Sequence, residues 1–215
     1  MRGWWWVTEN NNIINLYYGT KNLELDFKYK IDPDFDGGKI FEFGNGFYLT
    51  PNKDLAESYA KHNSLIELAA PKNRPSLDIL MKGIIVSGHL HIYELDYNNF
   101  KKNTNVKEFE SIKDYRNVLK ETLGGYNENI NYRPNRDATF GEICGQFWDD
   151  YWDEGNSNRG KLSHDELIEK CIEEMKKNAG KRERQICIHK TKIGPNEQNI
   201  FDEFLKKVDC KEITL

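Results

Sequence analysis

The chain has 215 residues, and 31 lysines and arginines against 35 aspartates and glutamates leave a formal charge of −4, which excludes nucleic-acid binding through global positive charge. A composition 38% hydrophobic and 13% aromatic supplies an ordered core and excludes a disordered chain. No stretch approaches the roughly 18 apolar residues of a membrane-spanning helix, and the Trp4–Val7 patch turns polar at Thr8, too soon for a secretory core. A cytoplasmic protein with no membrane partner is therefore expected. Cys144, Cys171, Cys187 and Cys210 show no C-x-x-C pairing, so they read as reduced, packed thiols and not as a disulfide or zinc framework.

In chain order, Ile13–Tyr18 is β-branched and aromatic and stops at Gly19, which predicts a buried strand. Asp32–Gly38 reads as a loop, and Gly44-Asn45-Gly46 as a tight turn feeding a short strand, Phe47–Leu49. Thr50 as cap and Pro51 in the first turn predict a helix carrying Leu55, Ala56, Tyr59 and Ala60 and ending near His62. His89–Leu95 alternates as a half-exposed strand, and Ile112–Leu123 reads as a helix closed by Gly124-Gly125. Ser163-His164-Asp165-Glu166 has the form of a capping box, opening a helix with Leu167, Ile168, Cys171, Ile172 and Met175 on one face. Gln185–His189 reads as a strand, and Ile200, Phe201, Phe204, Leu205 and Val208 as one face of a C-terminal helix. This mixed order predicts an α+β fold.

Three segments carry the chemistry. Leu16-Tyr17-Tyr18-Gly19-Thr20 ends a strand in a small residue, where backbone groups can reach a planar amide. Phe43-Gly44-Asn45-Gly46-Phe47-Tyr48-Leu49-Thr50 is followed by Tyr59, 11 positions beyond Tyr48; two aromatic faces can clamp a flat cationic ring. Glu183 and Gln185 stand two apart ahead of Ile186-Cys187-Ile188-His189, so in an extended strand both point to one face.

Together these segments resemble the catalytic core of ADP-ribosyltransferases of the diphtheria-toxin and poly(ADP-ribose) polymerase type, and among them the small bacterial members with a late Gln-Ile-x-[FI]-His strand. The resemblance implies a single toxin-like domain over 1–215, an α+β core of two small packed sheets with surrounding helices and a mainly helical insert at 96–180. It implies an enzyme that cleaves the nicotinamide–ribose bond of NAD+, its co-substrate, and transfers ADP-ribose to a protein or nucleic-acid acceptor without a metal. Gly19 and Thr20 would bind the nicotinamide amide, Tyr48 and Tyr59 would stack on the ring, and Tyr18, in the place of the family's histidine, would bond the adenosine ribose. Glu183 with Gln185, in the place of the family's glutamate, would act on the other ribose, where a carboxylate stabilises the oxocarbenium-like transition state. A neutral glutamine cannot neutralise a growing cation, so the same substitutions also imply an alternative, an inactive NAD- or ADP-ribose-binding or protein-interaction module.

Other features read more simply. Tyr17 is expected as a core ring, and Trp4–Trp6 as a packed strand or cap. The acidic run Trp148–Glu154 lacks the spaced ligands of a calcium loop and reads as a solvated surface. His89 and His91 share a strand face and read as surface histidines. The basic residues Lys176, Lys177, Lys181, Arg182, Arg184, Lys190 and Lys192 read as a solvated face near the third segment.

Overall fold

The computed structural model describes residues 13–20, 23, 40–69, 87–109, 111–129, 131–152, 160–177, 183–193 and 198–214. Trp4–Trp6, the Asp32–Gly38 loop, the end of the acidic run and Lys181–Arg182 lie outside the described residues. In chain order the elements are β1 (Ile13–Thr20), β2 (Phe47–Leu49), α1 (Lys53–Ala69), β3 (Ser87–Asp96), α2 (Tyr97–Asn103), β4 (Val106–Glu108), α3 (Ile112–Glu128) and β5 (Ala138–Glu142). They continue with α4 (Gln146–Trp152), α5 (His164–Lys177), β6 (Arg184–Ile188), β7 (Lys192–Ile193), β8 (Gln198–Asn199), α6 (Ile200–Glu203) and β9 (Leu205–Thr214). The described chain is thus α+β, with a three-stranded sheet, a four-stranded sheet and a two-stranded ribbon. It divides into two units, one drawn from 1–25, 49–102 and 200–215 and the other from 26–48 and 103–199.

In the first unit the strand order is β1-β3-β9, both pairings antiparallel. Alternation sets the faces: Ile14 and Leu16 of β1 are buried opposite Leu95 and Tyr93 of β3, while Ile13 and Asn15 are exposed. Tyr17 falls on the face of Ile13 and Asn15 and is half-buried, so it is not the core ring its sequence context predicts. Helix α1 is fastened to the sheet at its start, because Tyr17 N–H donates to Thr50 O at 2.7 Å and Thr50 N–H to Tyr17 O at 3.0 Å. The cap lies two residues beyond the predicted one: Asn52 Oδ1 accepts the Leu55 N–H at 3.2 Å, and Thr50 Oγ1 instead accepts the Asn52 N–H at 3.0 Å. The helix also runs past His62 to Ala69, since Leu65, Ile66, Glu67 and Leu68 are sound helix formers and the next breaker is Pro71.

The predicted C-terminal helix survives for one turn. Ile200 begins α6, but from Leu205 the chain becomes β9 and takes the second edge of β3, with Leu205 opposite Leu95 and Cys210 opposite His91. Ten residues of ladder outweigh a helical apolar face, and Val208, predicted to be buried, is 41% exposed.

In the second unit the order is β2-β6-β5-β4, with β5–β6 antiparallel and β4–β5 parallel. Two of these strands, β4 and β5, come from the 96–180 segment expected to be mainly helical. Phe43, Phe109, Tyr115, Leu119, Trp148 and Cys171 centre its core, to which α5 contributes the predicted face from Leu167 to Met175. The capping box forms as predicted: Glu166 Oε2 accepts the Ser163 N–H at 2.8 Å, and Ser163 Oγ accepts the Glu166 N–H at 3.3 Å. Those bonds from Ser163 hold the Glu166 carboxyl below its ordinary range. Helix α3 does not stop at Gly124-Gly125 but runs to Glu128, because Gly125 serves packing there: a Cβ at that position would stand 2.1 Å from the Tyr132 ring.

Candidate functional site

The first unit holds Tyr18, Gly19, Thr20 and Tyr59. Gly19 is a glycine for steric reasons: a Cβ there would lie 1.7 Å from Ala56 O and 2.8 Å from Ala60 N, so the strand end rests on the backbone of α1. Gly88 of β3 seats the same turn, with a Cβ position 2.7 Å from Ala60 O. Tyr59, half-buried, sits on the turn that Gly19 contacts. Tyr18 and Thr20 point to the other face of β1, where their cross-strand partners are His91 and His89. His91 is fully buried, with Nε2 3.8 Å from Cys210 Sγ. The expectation of a surface histidine at position 91 is corrected by this burial, with Tyr18 and Cys210 as its cross-strand neighbours on either side.

The second unit holds Tyr48, Glu183 and Gln185. Strand β6 turns Gln185 and Cys187 to one face, with Glu183 before it and His189 after it in the same phase. Arg184, on the opposite face, pairs with Glu142 at 3.2 Å. Glu183 O accepts the Ile143 N–H at 3.0 Å, and Glu183 Oε2 lies 3.1 Å from the Cβ position of Gly145, a turn glycine with φ 65°. Gln185 stands opposite Gly141, whose Cβ position meets the Phe109 ring.

Tyr48 belongs to the neighbouring strand, and the Cys187 thiol, two residues beyond Gln185, donates to Gly44 O at 3.8 Å beside the Tyr48 hydroxyl. The hydroxyl also donates to Gly44 O at 2.8 Å and accepts the Phe43 N–H at 3.1 Å, while its ring stacks on those of Phe41 and Phe43. Burial, with the Cys187 thiol beside it, holds this phenol well above its ordinary range. Tyr48 therefore braces the turn that its own sequence motif forms. Tyr48→Phe is expected to cost about 1–3 kcal/mol by stranding both backbone partners, read as a lowered urea midpoint. If the ring alone serves the ligand, NAD+ affinity is unchanged in that variant.

Sequence reasoning missed a polar network at the far end of β6. Asn45, Arg136, Thr139 and His189 are all buried. Arg136 Nε donates to Thr139 Oγ1 at 2.7 Å, Thr139 Oγ1 is 2.8 Å from His189 Nε2, and His189 Nδ1 is 2.9 Å from Asn45 O. A backbone carbonyl only accepts, so Nδ1 carries the proton and Nε2 accepts from the threonine hydroxyl. Burial drives the His189 pKa down to about 3; the Asn45 bond opposes this, and Arg136, Arg133 and Lys190 add to it. Glu121 holds Arg136 from the other side at 2.9 Å.

No group of three or more His, Cys, Asp or Glu side chains that could hold a metal ion occurs among the described residues, and no described helix is long and apolar enough to cross a membrane. The chain matches no known protein family, no curated protein and no solved structure. Chemically, Gln185 of β6 and Glu183 just before it offer one amide and one carboxylate in the same phase, and the end of β1 offers backbone groups on the turn that bears Tyr59. The first set can stabilise a developing cation next to a hydroxyl. The second can hold a planar amide.

Proposed function

We propose that the protein cleaves the nicotinamide–ribose bond of NAD+ and transfers ADP-ribose to an acceptor, a protein or a nucleic acid. The observation that carries this reading is the company of Glu183 and Gln185: they lie in phase with Cys187, whose thiol shares the Gly44 carbonyl with the Tyr48 hydroxyl on the adjoining strand. A carboxylate, a hydroxyl-binding amide and an aromatic ring are the groups that departure of a cationic nicotinamide from ribose requires. Glu183 stabilises the oxocarbenium-like ribose, Gln185 hydrogen-bonds a ribose hydroxyl, and Tyr48 stacks on nicotinamide. The roles of Gly19 and Thr20 at the carboxamide, of Tyr59 as a second ring and of Tyr18 at the adenosine ribose rest on the resemblance to ADP-ribosyltransferases. Support for Gly19 and Tyr59 is the contact of the Gly19 backbone with the α1 turn that bears Tyr59, whereas Tyr18 and Thr20 lie on the other face of β1 and have the resemblance alone.

One observation favours binding without turnover: the residue within β6 itself is the neutral Gln185, while the carboxylate stands before the strand, beside Gly145. Nicotinamide release from NAD+, followed by chromatography, separates the two readings. Under the enzymatic reading, a Glu183→Ala, Gln185→Ala double variant loses on the order of a hundredfold or more in rate. No release from the parent protein, with a melting temperature raised by NAD+, makes it a binding module. No release and no shift refute the NAD+ reading altogether.

A further inference from the structure

Two cysteines of the second unit meet beside the segment that holds Glu183. Cys144, half-buried, has its Sγ 3.7 Å from the carbonyl oxygen of Cys171, a fully buried residue of α5. Both are free. The buried Glu42 fixes the approach, since its Oε1 accepts the Cys144 N–H at 2.7 Å and the Tyr115 hydroxyl. The residues on either side of Cys144 are those that touch Glu183: Ile143 donates its N–H to Glu183 O, and the Gly145 backbone lies against Glu183 Oε2.

We infer that Cys144 and Cys171 are a dithiol that a disulfide oxidant such as oxidised glutathione closes to a disulfide, and that closure displaces the turn packed on Glu183. The importance of Glu183 rests on the NAD+ reading, whereas the disulfide itself does not. Cys144, the more accessible thiol, gives up its proton and attacks one sulfur of oxidised glutathione, forming a mixed disulfide and expelling one glutathione thiolate, which takes up a proton. Cys171 then attacks the Cys144 sulfur and expels the second glutathione, so that two protein thiols are oxidised and one glutathione disulfide is reduced to two thiols. The neighbouring Cys144 side chain, ahead of burial, keeps the Cys171 thiol protonated well above the ordinary range. Cys144 Sγ rests on the Cys171 carbonyl, and a disulfide about 2.0 Å long requires it to move from that oxygen onto the Cys171 sulfur, so closure shifts Ile143 and Gly145 with it.

The test equilibrates the full chain in glutathione buffers of increasing oxidation, quenches with a maleimide mass tag, maps peptides by mass spectrometry and reads amide exchange at Ile143 in both end states. Two of the four free thiols should disappear together, in one peptide linking Cys144 to Cys171, with Cys187 and Cys210 still tagged and Ile143 exchanging faster. Cys171→Ser should stop at a glutathione adduct on Cys144. Four tagged thiols in a buffer as oxidising as about −180 mV, or a bond to Cys187 or Cys210, would overturn the dithiol. A correct bond with unchanged exchange at Ile143 would overturn its coupling to Glu183. Neither readout uses NAD+, so failure of the cleavage reading leaves both outcomes intact.

Discussion

Gly19→Ala is expected to lower stability by about 3 kcal/mol, at the upper end of overpacking costs. The backbone at Gly19 is ordinary extended strand, so alanine brings no conformational strain, and by restricting the unfolded chain it contributes roughly 0.4–1 kcal/mol in the opposite direction. The cost is steric. Its Cβ would stand 1.7 Å from Ala56 O, 2.7 Å from Ala56 C and 2.8 Å from Ala60 N, all backbone atoms of α1. No rotamer relieves such a contact. The helix must retreat, and in doing so it leaves Gly88, the second glycine on which it is seated. Gly124→Ala supplies the control, because that position lies inside α3 with nothing within 4 Å of the added methyl. There the helical preference for alanine predicts a gain of roughly 0.5–1 kcal/mol. Urea midpoints of the two variants should move in opposite directions; a Gly19→Ala midpoint at or above that of the parent would show that α1 does not rest on the strand end.

Much of this was legible in the sequence wherever one element determines its own form. The Ser163–Glu166 box opens a helix because both bonds close within four residues, and β1 reads as a strand from its β-branched and aromatic run, although its faces do not read from it, since apolar Ile13 is exposed and Tyr17 only half-buried. The Tyr48 turn is equally local, since its hydroxyl closes on Phe43 and Gly44. What was hidden depends on pairing between distant segments. Residues 205–208 carry helical spacing, yet an open edge of β3 takes them as strand. His91 looks solvent-facing, yet it is fully buried, with Tyr18 and Cys210 as its cross-strand neighbours on either side. The site divides in the same way. Alternation alone puts Glu183 and Gln185 in phase, but nothing in positions 45, 136, 139 and 189 announces that they form one hydrogen-bonded line.

That line makes the second unit acid-sensitive, and the sign follows from the geometry. With Nδ1 donating to Asn45 O and Nε2 accepting from Thr139, a second proton on His189 would point at a hydroxyl oxygen that already accepts from Arg136. Arg136, Arg133 and Lys190 bring like charge, and the Cys187 thiol, 3.5 Å from Nδ1, gives no compensating anion because burial holds its own pKa well above the ordinary thiol range. The folded-state pKa of about 3 lies below the ordinary 6.5, so the folded protein binds fewer protons than the unfolded one between those values. The contribution is complete above about pH 6.5 and is lost as pH falls toward 3, at about 1.4 kcal/mol for each pH unit, or about 5 kcal/mol in all. His189→Gln removes the titration. The expected result is a steep fall in the urea-derived stability of the parent from pH 7 to pH 4 that is shallower by about 3 kcal/mol in the variant. Equal slopes would mean that His189 is already charged in the fold and that the proton order along Arg136, Thr139 and Asn45 is not the one its distances describe.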